Sequence, residues 1–553
     1  MEFINKTLGQ IINDNGKIYA DRTAIKYTTN SYERTWKELD EETDRIAKGF
    51  MALGVQKDDK IAIWATNVPE WFLTLFASAK IGAVLVTVNT NYKVFEAEYL
   101  LSQSDTRVLV MIDGFKGNSY VDTIYTLVPE LKDAKDGAVS SKRLPYLKHV
   151  VFAGDNEPQG FLNFKKLEKL GESISDEEFK ARQATLDPQD VINMQYTSGT
   201  TGFPKGVMLT HYNIINNGLT IGDGMAFTPD DKLCIVVPLF HCFGLVLATM
   251  ASITHGTEMV PVEAYSPVPV MNALSSEHCT AVHGVPTMFI AMLEHPLFDQ
   301  FDFSTMRTGI MAGSPCPIEV MKQVVEKMNM RDIVIVFGQT EASPGCTMTT
   351  TTDTLERRVA TVGRQFPGVE CKIVDPETHK DLPPNTPGEF VARGYNIMKG
   401  YYKMPEATAQ AIDKDGWLHS GDLCTCDEEG YYKVVGRIKD MIIRGGENIY
   451  PKEIEEFLYT CPKISDVQVI GVPSKAYGEE VMACIILKKG ETMTEDEVKE
   501  LVKANMARHK VPKYVWFMDA FPVTASGKIQ KFKLREQAIE MFKLQEAANI
   551  ETA

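Results

Sequence analysis

Residues 196–211 read YTSGTTGFPKGVMLTH, and this stretch decides how the fold is assigned. It consists mainly of hydroxyl side chains and glycines, with one lysine and few apolar side chains before Val207. Glycines let a backbone approach a ligand closely and turn N–H groups toward it, and the hydroxyls and the lysine add further donors. The stretch therefore predicts a loop that holds an anion with several oxygens, such as a polyphosphate.

The same stretch differs from a Walker A loop, which needs Gly-Lys-Ser/Thr leading directly into a helix. Here GFPKG separates the glycine from the lysine and places a proline where that helix would begin. We therefore expect a different anion-binding loop, with these ligand-binding residues: Thr197, Ser198, Gly199, Thr200, Thr201, Gly202 and Lys205.

Strands and helices alternate on both sides of this loop. Thr35 and Glu38 form a capping box at the start of a predicted helix that ends near Gly54. KIAIWAT then predicts a strand, EWFLTLFASAKIG a helix and AVLVTVN a further strand. Short apolar strands separated by helices are typical of parallel sheets covered on both faces. We expect an α/β protein whose large N-terminal part has stacked sheets and flanking helices.

The sequence character changes near residue 437, within GRIKD (436–440), and the chain after it reads as a separate, compact unit. A helix is predicted to start with Pro451 at its first position and to stop before Pro462. Two strands follow, and then a helix with a second capping box, Thr494 and Glu497. We place a domain boundary between residues 1–437 and 438–553, the second unit being a small α+β domain.

Composition narrows the possible functions. The net charge of −16 over 553 residues argues against an electrostatic grip on nucleic acid or anionic lipid. The ten cysteines contain no CxxC pair, so we expect reduced, mostly buried thiols in a cytoplasmic protein rather than a zinc site. Residues 233–253 carry no formal charge, but a proline, a histidine and a glycine interrupt them, which favours a buried strand, a turn and a buried helix over a membrane span.

Seven sequence blocks stand in the order typical of one enzyme superfamily. The chain resembles the adenylate-forming enzymes, which include acyl-CoA synthetases, aryl-CoA ligases, luciferases and peptide-synthetase adenylation domains. The blocks are YTSGTTGFPKG (196–206), PLFHCFG (238–244), AGSPCP (312–317), VFGQTEAS (336–343), GWLHSGDL (416–423), GRIKDMIIRGGENIYP (436–451) and PVTASGKIQK (522–531). This resemblance implies an AMP-forming ligase with ATP, Mg²⁺ and CoA as partners, and a small C-terminal domain that is mobile.

The resemblance also assigns roles in nucleotide binding. Thr340 would offer a hydroxyl to the α-phosphate and Glu341 a carboxylate oxygen to Mg²⁺, which prefers one or two carboxylates plus phosphate oxygens. Phe337 stands where most relatives carry tyrosine and keeps a flat face for adenine. The other residues expected to bind ATP are Gly313, Ser314, Pro315, Gly338, Gln339, Asp422 and Arg437, the last two at the ribose.

The two half-reactions would use different parts of the small domain. Lys528 matches the lysine that bridges the acid and the α-phosphate during adenylation, and Lys439 matches the hinge of the family. The loop with Gly445, Gly446 and Glu447 would then approach CoA, the two glycines leaving room for its pantetheine arm.

The segments CTAVHGVPTMFIAML (279–293) and STMRTGIMAGSPCP (304–317) resemble those of medium-chain fatty acyl-CoA synthetases, which implies a medium-chain fatty acid as the substrate. The residues expected to line or shape the acyl pocket are His241, His283, Val285, Met288, Met311 and Gly313. An aryl-CoA ligase and an enzyme that loads a carrier protein remain alternatives, and a luciferase-like oxygenase or an inactive binding module are weaker ones. We expect a small carboxylic acid, ATP and CoA as the partners, no nucleic acid, no transmembrane segment and a possible homo-oligomer.

Overall fold

The computed structural model describes residues 2–197, 203–313, 316, 318–437, 442–449, 451–522 and 531–548. Two large sheets lie in the N-terminal part of the chain. One has eight strands, in the spatial order Gly400–Tyr401, Lys205–Thr210, Val191–Thr197, Val84–Thr87, Lys60–Trp64, Thr106–Met111, His149–Phe152 and Leu162–Asn163. The other has seven, in the order Asp332–Val334, Thr308–Ile310, Ala281–Val282, Lys232–Ile235, Glu258–Pro261, Thr23–Lys26 and Glu33–Thr35.

Both sheets are mostly parallel, as the alternation of strands and helices predicts. Antiparallel pairing joins Val191–Thr197 to Lys205–Thr210, and the latter strand to Gly400–Tyr401. The helices that cover the sheets are Leu8–Ile18, Trp36–Ala52, Pro69–Lys80, Val94–Gln103, Tyr120–Leu127, Lys166–Gly171, Asp176–Gln183, His211–Gly224, Ala251–His255, Pro267–Ser276, Pro286–Leu293 and Ile318–Lys327.

Smaller sheets complete the N-terminal part. Val336–Gly338, Gly345–Met348 and Arg364–Gln365 form a three-stranded sheet, and Gly114–Phe115 pairs with Asn118–Ser119. An antiparallel four-stranded sheet consists of Val369–Val374, Gly388–Gly394, Leu418–Cys426 and Tyr432–Arg437, near the helices Leu355–Ala360 and Pro405–Ala411. One apolar core continues from the large sheets into the four-stranded sheet, because Leu418, Cys424 and Tyr432 belong to it.

The small C-terminal domain is built around a five-stranded sheet. Its strands are Ile442–Arg444, Glu447–Ile449, Ile464–Ser474, Gly478–Leu487 and Tyr514–Phe517. The helices are Pro451–Tyr459, Glu495–Asn505, Lys531–Met541 and Gln545–Ala548. Two apolar cores, formed by residues between 442 and 538, fill this domain. The fold class expected from the sequence is confirmed, whereas the boundary at 437/438 borders residues outside the described ranges and stays a prediction.

Local sequence signals place several helix ends correctly. Thr35 and Glu38 form the predicted capping box of Trp36–Ala52, and Thr494 and Glu497 form that of Glu495–Asn505. Pro451 is the first residue of its helix, which ends at Tyr459, before Pro462. Each of these ends depends on contacts within one helical turn, so a short window of sequence specifies them.

The uncharged segment 233–253 contains the predicted strand and helix, with one difference. The helix starts at Phe243 and is a π-helix to Met250 before it continues as the α-helix Ala251–His255. Thr249 donates its hydroxyl to the carbonyl of Gly244, five residues earlier, at 2.9 Å. Short π-helical segments often lie at functional sites. In the part of the chain that the structure describes, no helix is both long and apolar enough to cross a membrane.

Candidate functional site

The two ends of the predicted phosphate loop lie side by side. Thr197 ends one strand of a hairpin and pairs in register with Lys205, which begins the other. Residues 198–202, with the expected ligands Ser198, Gly199, Thr200, Thr201 and Gly202, lie outside the described residues. The ammonium of Lys205 lies 4.7 Å from the centre of the Tyr401 ring, a cation–π distance. The hairpin therefore brings one hydroxyl and one cation to the same end of the eight-stranded sheet.

Glu341 faces this hairpin end. It belongs to a short 3₁₀ helix, Thr340–Ala342, that follows the strand Val336–Gly338. Its Oε1 accepts hydrogen bonds from the Tyr401 hydroxyl at 2.8 Å and from the Thr197 hydroxyl at 3.4 Å. Two residues predicted from separate blocks thus meet, because strand pairing and the 3₁₀ helix place their side chains together.

Tyr401 is a site residue that the sequence analysis missed. It contacts both Glu341 and Lys205, and its strand pairs with the second strand of the hairpin, Val207 opposite Tyr401. The signal in the sequence is weak, since GYY at 400–402 stands alone after a turn. Only the pairing of these strands, nearly 200 residues apart, places the hydroxyl on the carboxylate.

A buried thiol lies behind Thr340. The Sγ of Cys242 donates to Oε1 of Gln195 at 3.0 Å, and Nε2 of Gln195 donates to Oδ1 of Asn193 at 2.9 Å. Burial raises the pKa of the Cys242 thiol to about 12, and Thr340 lies within hydrogen-bonding reach of it. The thiol therefore remains protonated at neutral pH and acts as a hydrogen-bond donor.

Four of the residues expected at adenine and ribose line one small cleft. Phe337, Gly338, Gln339 and Asp422 all border it; the other lining residues are Cys346, Phe390, Ala392, Leu418 and Ser420. Gly338 has a φ of +157°, and a Cβ there would lie 1.9 Å from the carbonyl oxygen of Pro344. No larger residue fits without moving this backbone, so glycine at 338 is required by packing.

Asp422 lies on a strand next to that of Arg437, and the two residues pair in register. The turn before Asp422 is fixed by Glu389, whose carboxylate accepts from the backbone N–H of Gly421 at 3.0 Å. The same carboxylate bonds to Nδ1 of His419 at 2.8 Å and raises the pKa of that imidazole. Glu389 is a second residue that sequence reasoning missed, because it acts through the backbone of another block.

The residues predicted for the acyl pocket come from neighbouring strand ends. Gly284 and Met311 form a β-bridge, which brings Val285 beside Gly313. A Cβ at Gly313, whose φ is +87°, would lie 3.1 Å from Cγ1 of Val285. Met311 is fully buried and Met288 partly buried. Ser314 and Pro315 lie outside the described residues.

The two predicted pocket histidines differ in exposure. His283 has no exposed surface: its Nε2–H donates to the carbonyl of Leu247 at 2.9 Å, and its Nδ1 accepts from the N–H of Ile310 at 3.3 Å. It can shape a pocket only through its neighbours. His241 is exposed as a whole residue, but its Nδ1 accepts from the N–H of Phe243 at 3.2 Å, and burial of the imidazole lowers its pKa to about 4.

Buried neutral histidines predict acid sensitivity of the large domain. Burial lowers the pKa values of both His283 and His211 to about 4, and the ordinary value is about 6.5. Between these values the unfolded chain binds more protons than the folded one, so the free energy of unfolding should fall as pH drops from about 6.5 to about 4. Urea unfolding at several pH values measures this slope.

A matched pair of variants identifies the source of that slope. His211→Gln keeps a side-chain acceptor for the N–H of Leu8, now bound by Nδ1 at 3.0 Å, and should flatten the slope. His278→Asn replaces an exposed histidine with positive φ and should leave the slope unchanged. Equal slopes in wild type and His211→Gln would contradict the assignment.

The predicted CoA loop lies against the acyl side of the site. Gly445 and Gly446 have φ values of +59° and +85°, and a Cβ at Gly446 would lie 2.7 Å from Cγ1 of Val285. Glu447 follows, and its burial raises the pKa of its carboxyl group. Lys439 and Lys528 lie outside the described residues. Val285 thus contacts both Gly313 and the loop of the small domain.

Comparisons with known proteins agree along the chain. The family model of the AMP-binding enzymes matches residues 12–402, and that of their C-terminal domain matches residues 453–528. The putative acyl-CoA synthetase YngI of Bacillus subtilis is 52% identical over 543 residues, which cover 98% of this chain and 99% of that protein. The medium-chain acyl-CoA ligase ACSF2 of Rattus norvegicus is 39% identical, covering 98% of this chain and 89% of that protein.

Solved structures show the same fold. The o-succinylbenzoate CoA synthetase MenE of Bacillus subtilis, a double mutant bound to its product analogue OSB-NCoA, superposes with a TM-score of 0.79. The two chains are 24% identical, and the match covers 96% of this chain and 99% of that one.

Proposed function

Because this chain belongs to the AMP-binding enzyme family and is an acid–CoA ligase, we propose that it converts a medium-chain fatty acid, ATP and CoA into acyl-CoA, AMP and pyrophosphate. The single observation that best supports this mechanism is the meeting of two of the seven blocks, 196–206 and 336–343, at the side chain of Tyr401. The Glu341 carboxylate accepts hydrogen bonds from the hydroxyls of Tyr401 and Thr197. The ammonium of Lys205, at the start of the second hairpin strand, lies over the Tyr401 ring. The arrangement suits a triphosphate better than it suits a neutral ligand.

The chemistry starts from a poor electrophile. A free carboxylate resists attack by a thiol because oxide would have to leave, whereas AMP leaves readily from an acyl-adenylate. In our proposal the carboxylate attacks the α-phosphate and pyrophosphate leaves, residues 197–206 hold the β- and γ-phosphates, and Lys528 brings a positive charge to the reacting phosphorus. Positioning of the reactants and charge stabilisation in the transition state are the main contributions a protein makes to phosphoryl transfer.

The cleft beside the 3₁₀ helix supports the proposed nucleotide position. Phe337 offers a ring face to adenine, and Asp422, with Arg437 on the adjacent strand, accepts from the ribose hydroxyls. In our proposal Thr340, which follows the cleft residue Gln339 in the chain, offers its hydroxyl to the α-phosphate. Because Gly338 packs its backbone against Pro344, the loop that carries Gln339 and Thr340 is held in place before any ligand binds.

Glu341 is the residue that would hold Mg²⁺. The ion prefers a few hard oxygens and completes its shell with phosphate oxygens and water, so one carboxylate is sufficient at an ATP site. The hydroxyls of Tyr401 and Thr197 orient the Glu341 carboxylate, as second-shell partners of metal ligands commonly do. When bound, Mg²⁺ would neutralise charge that develops on the phosphates.

Glu341→Gln should therefore weaken the use of Mg·ATP. We expect the Mg²⁺ concentration for half-maximal pyrophosphate release to rise by about tenfold or more, since the amide loses the charge that attracts the ion. The measurement is pyrophosphate release titrated with Mg²⁺ at saturating ATP. Glu406→Gln changes an exposed glutamate on a nearby helix and should leave the titration unchanged. An unchanged Mg²⁺ dependence in Glu341→Gln would remove this residue from the metal site.

In the thioester step of our proposal, the thiol of CoA attacks the carbonyl carbon of the acyl-adenylate, and AMP leaves. Free CoA is only a few per cent ionised near pH 7, so the activated acyl group supplies most of the reactivity. The contact between Gly446 and Val285 supports a position for the pantetheine arm along this loop. In our proposal Lys439 acts as the hinge about which the small domain turns between the two steps.

The choice of a medium-chain acid is supported by the curated relative from rat and by the pocket residues. Val285, Met288 and Met311 offer apolar, partly adaptable walls, and methionines fill irregular space well.

A substrate screen tests this function directly. With ATP and CoA present, acids of about six to twelve carbons should give the highest kcat/KM, and AMP rather than ADP should form in step with acyl-CoA. A strong preference for acetate or for an aromatic acid would contradict the medium-chain assignment. Thioester formation on a carrier protein but not on free CoA would favour the carrier-loading alternative.

Several features remain predictions. These are the boundary at 437/438, fatty acid metabolism as the pathway class, a cytoplasmic location and a possible homo-oligomer.

A further inference from the structure

A buried lysine joins the two domains. Nζ of Lys510 lies 2.7 Å from Oε1 of Glu96 and 2.6 Å from Oε1 of Glu453, and the three side chains are between 3% and 7% exposed. Glu96 belongs to the large domain, on the helix Val94–Gln103, whereas Lys510 and Glu453 belong to the small domain. The mechanism proposed above uses none of the three residues.

The environment keeps this lysine charged. Burial by itself would lower the pKa of Lys510, but Glu453 and Glu96 together raise it above its ordinary value. A buried charge is tolerated only when its partners are well placed, and removing one partner is costly. The ring of Tyr92, 5.4 Å from the ammonium, adds a cation–π contact from the large domain.

Glu96 is held in position by its own helix. Its Oε2 accepts from the backbone N–H of Lys93 at 3.1 Å, so one oxygen closes the start of the helix and the other faces Lys510. The same helix reaches the phosphate loop, because the Tyr99 hydroxyl donates to the carbonyl of Pro204 at 3.0 Å. The Glu96 carboxylate is thus held by a helix that packs against the rest of the large domain, rather than by a surface loop.

The two carboxylates differ in what happens when the domains separate. Glu453 travels with Lys510 and continues to neutralise it, whereas the contact with Glu96 exists only while the domains are docked as they are here. In this docked arrangement Gly446 also lies against Val285. The Glu96–Lys510 contact can therefore form or break without leaving the lysine unpaired.

We propose that Glu96 is a positioning residue that holds the small domain, through Lys510, in the orientation that forms the thioester. This inference rests on the proposed function, in which the small domain turns between adenylation and thioester formation. Glu96 contacts neither acid nor nucleotide in this role; it acts by favouring one docking of the domain over the other.

The test compares Glu96→Gln with Glu98→Gln. Glu98 lies on the same helix and pairs with Arg143, whose Nη2 donates to its Oε2 at 2.7 Å, within the large domain. Pyrophosphate exchange measures adenylation, and thioester formation from supplied acyl-adenylate measures the second step. We expect Glu96→Gln to slow the second step by about tenfold or more and to change adenylation by less than about twofold. Glu98→Gln should change both by less than about twofold.

A second measurement reports on docking rather than turnover. Backbone hydrogen exchange in residues 442–449 should accelerate in Glu96→Gln and stay at the wild-type rate in Glu98→Gln. Glu96→Asp, which keeps the charge but shortens the side chain, should lie between wild type and Glu96→Gln in both measurements.

Two results would overturn the inference: equal slowing of both steps in Glu96→Gln, or unchanged exchange in residues 442–449. Failure of the proposed function looks different. If the wild-type protein forms no thioester, the proposed reaction is wrong, and the exchange measurement alone decides whether Glu96 holds the domain.

Discussion

Lys528→Ala should lose adenylation by about 10²- to 10³-fold while largely keeping thioester formation from supplied acyl-adenylate. The expected loss is large because an ammonium directed at the reacting phosphorus stabilises charge that appears only in the transition state. At about 4 Å and an effective dielectric constant of about 20, one such attraction amounts to about 4 kcal/mol. In the second step the thiol attacks the acyl carbon, and no additional negative charge develops at the phosphorus in a five-coordinate transition state. The lysine therefore has little to contribute to that step.

Pyrophosphate exchange and single-turnover thioester formation measure the two steps separately. Lys533→Ala removes an exposed lysine from the helix that follows and serves as the matched control, with both rates expected near wild type. Equal loss of both half-reactions in Lys528→Ala would count against the role assigned to this lysine.

Gly446→Ala should show the opposite selectivity. The added Cβ would lie 2.7 Å from Cγ1 of Val285, and its φ of +85° is a conformation that alanine adopts only with strain. Strain of about 1–3 kcal/mol in the docked state corresponds to a loss of rate of roughly fivefold to 150-fold. We expect slower thioester formation and nearly unchanged adenylation.

Two further variants distinguish the effect of the contact with Val285 from the effect of backbone strain at a positive φ. Gly490→Ala introduces alanine at a φ of +87° in the same domain, where a Cβ would meet nothing within 4 Å, and should leave both half-reactions near wild type. Val285→Ala combined with Gly446→Ala should restore part of the lost rate, because the contacting methyl group is gone. No coupling between positions 285 and 446 would show that the docked contact plays no part in the reaction.

Taken with Glu96, these variants distinguish two ways of controlling one active site. In our proposal Lys528 acts on the reacting atoms, whereas Gly446 and Glu96 determine where the small domain lies. Variants of the first kind should slow adenylation, and those of the second kind should slow only the thioester step. Pyrophosphate exchange and single-turnover thioester formation, measured under the same conditions, allow all these variants to be compared.

The sequence specified what depends on neighbours along the chain. The capping boxes at Thr35 and Thr494 and the first-turn Pro451 each require a few adjacent residues, and the structure confirms all three helix starts. The order of the seven blocks was enough to identify the family, because short motifs in a fixed order can be recognised along the chain without any long-range contact. Phe337, Gly338, Gln339 and Asp422 were also predicted to serve one nucleotide, and one cleft brings them together.

Tertiary structure decided the contacts that join distant parts of the chain. The Tyr401 hydroxyl meets Glu341 across 60 residues, and Lys510 meets Glu96 across 414. Neither pair leaves a local pattern, because each side chain alone looks like an ordinary surface residue. The burial of His283 and the π-helix from Phe243 likewise follow from packing between sheets rather than from periodicity. Short-range geometry is encoded in each segment, whereas a contact between segments exists only once both are folded and docked.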